Sequence, residues 1–310
     1  MGFLGFCLAG LGFVLIGAWE AVSLTVPSLT LNKKATPSCF SHLLAFLLSF
    51  FFIVNASISV IDSSHSSDHI GVPLQLQVIA VASLFLLYSI AGIVTTKFTH
   101  LLPLPTEILD LVVLFAFGQE FLLFYLQRKD PTGLENRYYD LLIVPIIVCF
   151  SSTLLAFKSP KSPYPRLGRA AGLLLQGTWL VQMGFSFYTN LMTHGCALRE
   201  KSRGNYTIKC KSHADAHRSM AIATLQFNCH LAFLVILVVG VYWSFGSGDR
   251  ERNSRDYTTY KPISEELRQF ESRGQFTLDS DEEDEIVVAE NGSTEKVVIP
   301  VEGMNGFGSH

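Results

Sequence analysis

Apolar residues in this chain are gathered into seven long stretches, separated by short polar segments. Each stretch is close to the length of about 20 residues that a helix needs to cross a bilayer. The segments between them contain the Pro, Gly, Ser and Asn residues that form turns. The pattern therefore predicts an all-α, polytopic membrane protein with about seven transmembrane helices. The stretches cover roughly residues 3–25, 40–61, 73–95, 107–127, 138–157, 168–190 and 219–245.

The chain changes character after residue 247. Its last part has mixed charges in DRERNSRD and an acidic run in LDSDEEDEIVVAE, and it shows no apolar period. A segment of this composition cannot bury enough apolar surface to fold alone. We therefore predict a seven-helix transmembrane domain over residues 1–247 and a disordered, acidic, cytosolic tail over residues 248–310.

Two short motifs in the tail are candidate binding sites for cytosolic partners. Tyr260, Lys261, Pro262 and Ile263 fit the Tyr-x-x-bulky pattern that sorting adaptors bind. Ser280 precedes an acidic run, which is the context that an acidophilic kinase requires. Motifs this short also arise by chance, so they suggest partners without establishing them.

Composition excludes several classes of protein. The 310 residues are 49% hydrophobic and only 16% charged, against about 25% charged in soluble domains. The net charge is -3 and no long basic run is present, so nucleic acid is not a predicted partner. The first apolar run lacks a basic region before it, and we interpret it as a retained helix and not as a signal peptide.

The loop over residues 191–218 gives the best indication of orientation. Cys196 and Cys210 flank the sequon Asn205-Tyr206-Thr207. A disulfide bond and an N-glycan both require the luminal or extracellular side. Lysine and arginine are nearly balanced between the two sets of loops, so they decide little. We predict that this loop and the N-terminus lie outside, with the tail in the cytosol of an endomembrane or plasma-membrane protein.

Several polar side chains interrupt the predicted spans. Lipid cannot satisfy their hydrogen bonds, so they must face protein, water or a ligand. They are either hydrogen-bonded packing groups that hold helices together or parts of one polar centre inside the bundle. Among them, only Glu120 carries a carboxyl group, whose position deep in a span is a functional-site hypothesis. The candidates are Gln119, Glu120, Gln176, Trp179, Gln182, Gln226 and His230.

A second, weaker candidate site lies where the last span begins. His213 and His217 are four residues apart, so a helix would place both rings on one face. This spacing suits zinc or another metal that imidazole binds. Two histidines alone are not specific, however, and we predict no cofactor, with a bound metal as the alternative.

Three of these stretches are similar to a known family. FAFGQEFLLFY at 115–125, LLLQGTWLVQMGF at 173–185 and the His217, Arg218 and LQF elements that follow resemble the plant branch of the transmembrane protein 45 family, also catalogued as domain-of-unknown-function family 716. The resemblance implies a membrane protein with about seven helices and implies no established activity. Relatives have histidines after GQEFLLFY, whereas LQRKDPTGLENRYYD has none here. If those histidines bind a metal, this member has lost most of the site.

Four functional classes remain open. The first is a non-enzymatic trafficking, signalling or stress-related membrane component whose tail recruits partners. The second, the runner-up, is a transporter or channel-like bundle in which Glu120 and the polar groups line a path. The third is a metal-assisted membrane enzyme that uses Glu120, His213, His217 and His230, although no catalytic motif supports it. A seven-helix receptor ranks last, because no receptor-specific motif is present.

Overall fold

The computed structural model describes residues 2–25, 37–97, 105–126, 133–160, 162–189 and 195–257. Within these residues the chain forms seven α-helices and one two-stranded sheet. A compact unit comprises Met1–Ser254. The elements, in chain order, are α1 (Phe3–Thr25), α2 (Pro37–His65), α3 (Gly71–Lys97), α4 (Thr106–Leu126), α5 (Glu135–Lys158), α6 (Tyr164–Tyr188), β1 (Cys196–Ser202), β2 (Asn205–Cys210) and α7 (His213–Tyr257).

The first six helices form a closed ring. α2 packs against α3, α3 against α4, α4 against α5 and α5 against α6, so that neighbours along the chain are neighbours in space. The ring closes where α1 packs against both α2 and α6. Each helix therefore has one face toward its neighbours and the centre of the ring, and an opposite face toward the outside.

The seam between α1 and α6 is held together by small residues. A Cβ atom at Gly10 would lie 2.5 Å from the carbonyl oxygen of Gly177, and one at Gly17 would lie 2.8 Å from that of Ala170. These positions recur every seven residues on both helices, which places them along one face. Small residues allow helix backbones to approach closely in a membrane, where packing drives association. Gly10 and Gly177 thus form a point of close approach between the two helices.

The outer faces of the helices are apolar. On α1 the side chains of Leu4, Leu8, Leu11 and Leu15 are exposed, at the three- and four-residue spacing of one helix face. Six of the helices are long and apolar enough to cross a membrane. A helix surface of this kind is stable only against hydrocarbon or another protein. The structure thus supports an integral membrane protein.

α6, the predicted sixth span, is the exception in composition. It is a 25-residue helix, as predicted, but it is not among the six that are apolar enough to span a membrane. Its contacts with α1 extend from Ala170 to Gly184, about 21 Å along the axis. α6 thus lies beside a membrane-spanning helix over most of its length. Because neighbouring helices cover it, it can contain glutamine, serine and glycine.

α7 lies outside the ring, against α5 and α6. The ring of Phe227 contacts Trp179 of α6 edge-on, with 5.1 Å between ring centroids. Arg137 of α5 donates a hydrogen bond from Nε to Thr224 Oγ1 at 3.0 Å. Since these contacts involve one side of α7 only, much of its membrane-spanning part remains exposed.

A β-hairpin connects α6 to α7. β1 and β2 pair in antiparallel register from Cys196 opposite Cys210 to Ser202 opposite Asn205. Gly204, with φ of 83°, forms the turn between them, a conformation that glycine adopts without strain. The predicted disulfide bond joins Cys196 to Cys210 and closes the open end of the hairpin.

Candidate functional site

A cavity of about 180 Å³ occupies the centre of the helix ring. Its lining residues include Phe6 and Glu20 of α1, which are about 21 Å apart along the helix axis. The cavity is therefore elongated along the helix axes. For comparison, an engineered apolar cavity of about 150 Å³ is enough to bind benzene. The described residues thus line a space large enough for a small molecule or for part of a larger one.

Aromatic rings from four helices form most of the middle of the cavity wall. Phe85 of α3 and Phe117 of α4 meet edge-to-face at 5.2 Å, and Phe13 of α1 contacts Phe52 of α2 at 6.3 Å. All four rings line the cavity. Rings placed in this way give an apolar surface of fixed shape, which favours a hydrocarbon occupant.

Glu120 and Gln176 form a buried polar pair in this apolar wall. Glu120 lies on the same face of α4 as Val113 and Phe117, and it is 6% exposed. Gln176 is fully buried in the middle of α6. The Gln176 amide donates a hydrogen bond from Nε2 to Glu120 Oε1. Among the described residues, neither Glu120 Oε2 nor Gln176 Oε1 has a hydrogen-bond partner.

An ion pair bounds one end of the cavity. Arg169 of α6 donates from Nε to both carboxylate oxygens of Glu20 of α1, at 3.0 and 3.2 Å, and a further bond joins its Nη2 to Glu20 Oε1. Both side chains are largely buried. This fork-to-fork arrangement is the strongest geometry for a carboxylate and a guanidinium group. The pair thus joins α1 to α6, where the ring closes.

The β-hairpin bounds the other end. Gly204 at its turn and Tyr206 of β2 line the cavity. The phenol oxygens of Tyr206 and Tyr139 of α5 share a hydrogen bond of 2.6 Å. Burial raises the pKa of Tyr206 well above its usual value, so its phenol stays neutral. Ile208 donates from its backbone to Glu135 Oε2 at 2.8 Å, which fixes the hairpin to the start of α5.

Asp68, in the turn between α2 and α3, holds the hairpin on its other side. Its carboxylate accepts hydrogen bonds from Asn205 Nδ2 and, at 2.7 Å, from Ser202 Oγ. Lys201 Nζ lies 3.3 Å from its Oδ1. Burial opposes the ionisation of Asp68, but the hydrogen bonds from Asn205, Ser202 and Lys201 outweigh it and hold the pKa of Asp68 well below its usual range. An ionised Asp68 therefore holds the docked hairpin in place.

The residues predicted to form one polar centre lie in separate places. Glu120 and Gln176 line the cavity, but Gln119 is exposed on a different face of α4. Adjacent residues of a helix point about 100° apart, so one apolar run cannot bury both. Gln182 donates to Ser186 of its own helix at 3.3 Å.

Trp179 and His230 form a second group, away from the cavity lining. Trp179 donates from Nε1 to the carbonyl oxygen of Tyr138 at 3.1 Å and stacks on the Tyr138 ring. His230 meets Trp179 edge-on at 5.9 Å, and its Nδ1 lies 2.8 Å from the carbonyl oxygen of Gln226. This group joins α5, α6 and α7. Its contacts match the packing alternative considered for these residues.

The histidine pair lies at the exposed start of α7. The rings of His213 and His217 are 4.5 Å apart. His217 and His230 are separated by about 20 Å along one continuous helix, so they do not share a site as the enzyme hypothesis requires. Within the described ranges, no group of three or more histidine, cysteine, aspartate or glutamate side chains could hold a metal ion. Metal binding by the pair alone stays a prediction.

The structure describes the predicted glycosylation site but not the predicted tail motifs. Asn205 is 6% exposed, and its amide is bound to Asp68, so a glycan there would displace a buried contact. Glycosylation of Asn205 stays a prediction, and its buried position argues against it. Tyr260, Ile263 and Ser280 lie outside the described residues.

Sequence reasoning missed the residues that bound the cavity. Glu20 is a lone carboxylate in the first apolar stretch, and Arg169 is a lone cation at the start of the sixth. A search for opposite charges within predicted spans would have paired them, because each is costly alone in a membrane. Asp68 has no such signal, since an aspartate in a polar turn is ordinary.

These features define a class: a polytopic helical membrane protein with a ligand-sized apolar cavity inside its helix ring. Residues 106–243 match the model of a family described as a family of unknown function, DUF716. The predicted resemblance to this family is confirmed over that stretch, from α4 into α7, whereas the assignment to its plant branch stays a prediction. The family's description names no activity. α1, α2 and α3, which form the other half of the cavity wall, precede the matched residues.

Proposed function

We propose that the protein binds one lipid-like molecule, with a single extended hydrocarbon chain, in the cavity of its helix ring. The observation that carries this proposal is the cavity itself, which is elongated and lined mainly by phenylalanine, leucine, valine and alanine. Sites for small molecules are usually apolar concavities with a few placed polar groups. The cavity has that composition, with Glu120 and Gln176 as the placed polar groups.

The shape of the cavity supports a chain in preference to a broad, rigid molecule. A volume of about 180 Å³ that extends over roughly 21 Å of helix length suits an elongated ligand better than a compact one. An extended hydrocarbon chain fits such a space, whereas a fused-ring molecule needs a wider one. The burial of each CH₂ group contributes about 0.8 kcal/mol, so a chain of several carbons would bind with useful affinity.

This proposal is closest to the transporter-like alternative drawn from the sequence. Both place Glu120 in the wall of an internal space. They differ because the space is bounded by an ion pair at one end and by a docked hairpin at the other, which supports retention of a ligand more than continuous passage. In the predicted orientation, the hairpin end is luminal or extracellular.

Filling the cavity should abolish binding. Ala82 of α3 is buried and lines the cavity, so Ala82→Phe would place a ring where the chain lies. We expect saturable binding of a radiolabelled fatty alcohol to fall by more than tenfold in nanodiscs, after subtraction of uptake by empty nanodiscs.

Ala80→Phe is the matched control for this experiment, because Ala80 is exposed on the same helix two residues away. Binding by the Ala80→Phe variant should equal that of the unaltered chain. Equal binding by the Ala82→Phe variant, with an unchanged thermal unfolding midpoint, would show that the cavity is not the binding site.

A further inference from the structure

We propose that the ligand carries a hydroxyl group and that Glu120 and Gln176 bind this hydroxyl. This inference rests on the proposed function and deepens it, because it narrows the ligand class to alcohols with one hydrocarbon chain. It starts from two oxygen atoms of cavity-lining residues that have no hydrogen-bond partner among the described residues, Glu120 Oε2 and Gln176 Oε1.

The hydrogen-bond inventory of the pair is incomplete without a ligand. Gln176 donates from Nε2 to Glu120 Oε1, which uses one oxygen of the carboxyl group. The remaining two oxygens are buried, and both residues line the cavity. Buried polar groups in folded proteins almost always have a partner. The two oxygens therefore mark the place where a polar group of the ligand belongs.

The chemistry of the oxygens selects the polar group. An amide oxygen only accepts hydrogen bonds, so a group that binds Gln176 Oε1 must donate one. Ethers, esters and ketones have no donor. A carboxylate has none either. A hydroxyl donates to Gln176 and still has lone pairs to accept a bond, which the carboxyl group donates when it is protonated.

Charged head groups are disfavoured by what surrounds the pair. Arg169 is the cation that lines the cavity in the described residues, and Glu20 already occupies it through both carboxylate oxygens. An anionic head group therefore finds no free counter-charge. An ammonium group would have to leave water for a wall of aromatic and aliphatic side chains, which is costly. A neutral hydroxyl avoids both costs.

The cavity gives the chain of an alcohol more room on one side of the pair. On α6, Gln176 is seven residues from Arg169, about 10 Å along the axis, and Leu173 lines the wall between them. On the other side, Leu180 is about 6 Å away and the hairpin follows. A primary alcohol bound at the pair would extend toward the ion pair.

The test compares ligands that differ only in the polar group. Binding of n-decanol, decyl methyl ether, decylamine and decanoate would be measured by displacement of radiolabelled n-decanol from the protein in nanodiscs. On the unaltered chain we expect n-decanol to bind at least about tenfold more tightly than its methyl ether, because the ether leaves Gln176 Oε1 without a donor.

Variants then test whether the preference for the alcohol depends on Glu120 and Gln176. In the double variant Glu120→Leu with Gln176→Leu, both partners are replaced by apolar groups of similar size, a change that is often nearly neutral for stability. The ratio of alcohol to ether affinity should fall to about one, while ether binding is retained. Gln119→Leu removes the neighbouring exposed amide and should keep the full ratio.

Each outcome decides the inference. Equal affinity for alcohol and ether on the unaltered chain overturns it and leaves the proposed function intact, since a chain still binds. A full ratio in the double variant overturns the role of Glu120 and Gln176. Tighter binding of decylamine or decanoate overturns the choice of a hydroxyl. If no compound binds saturably to the unaltered chain, the proposed function itself fails. The comparison of ligands needs no variant, so it holds even where a variant does not fold.

Discussion

Replacement of Glu20 by alanine is expected to lower the free energy of unfolding by about 3–5 kcal/mol, which is the cost of breaking a buried ion pair from one side. The change leaves the guanidinium group of Arg169 largely buried and without its carboxylate. It also removes the charged contact that joins α1 to α6. The measurement is denaturant-induced unfolding in detergent micelles, followed by tryptophan fluorescence.

Two further variants test whether the lost stability comes from the ion pair and not from general damage to the contact between α1 and α6. Glu107→Ala removes an exposed glutamate from the first turn of α4, and we expect a change within about 0.5 kcal/mol. The double variant Glu20→Leu with Arg169→Met replaces both charges, so most of the stability should return. A loss below 1 kcal/mol in Glu20→Ala would mean that water or lipid head groups reach Arg169, contrary to its buried position.

Replacement of Asp68 by alanine should release the β-hairpin from the turn between α2 and α3. The change removes the acceptor of two buried hydrogen bonds and the counter-ion of Lys201. Hydrogen bonds to a charged group contribute about 1.5–3 kcal/mol each, so we expect docking to weaken by about 3 kcal/mol. Amide hydrogen exchange of residues 196–210 is the direct measurement, and exchange should quicken in this segment first.

The same contacts predict how hairpin docking depends on pH. The pKa of Asp68 is lower in the folded protein than its usual value, so docking is stabilised while the group is ionised in both states. This stability is lost as the pH falls below about 4 and further toward the lowered pKa.

Asp62→Asn is the control, because Asp62 is exposed and accepts one bond at 2.7 Å from the Arg203 backbone. Exchange rates in Asp68→Ala equal to those of the unaltered chain would show that Asp68 does not hold the hairpin.

The sequence predicted the helices well because a bilayer makes strong demands on composition. Apolar runs such as 73–95 have few structural alternatives, and helix α3 spans Gly71–Lys97. The disulfide bond between Cys196 and Cys210 was predictable as well, because the two cysteines share one short loop. Periodicity and length were enough in these cases.

The arrangement of the polar groups was less predictable. Gln119 and Glu120 are adjacent in sequence, and only the packing of α4 shows that Glu120 faces the cavity while Gln119 does not. Trp179 and Gln176 are three residues apart on α6, yet they serve different interfaces. A helix buried on several sides has no single apolar face, so its pattern does not reveal which neighbour each residue meets.

The ends of the cavity depend on contacts between residues distant in sequence. Glu20 and Arg169 are 149 residues apart, and Asp68 and Asn205 are 137 apart. Opposite charge within predicted spans relates Glu20 to Arg169, but nothing in the sequence relates Asp68 to Asn205. The packing of the six helices into a ring brings these distant residues together.

The most extensive contact between two helices of the ring joins α1 to α6. During synthesis, α1 enters the membrane well before α6, with the whole of α2 to α5 still to follow. Gly10 cannot meet Gly177 before α6 has been made, so the ring cannot close until then. A ligand of the proposed kind can thus be taken up from the bilayer when the ring closes, without passing through either end of the finished cavity.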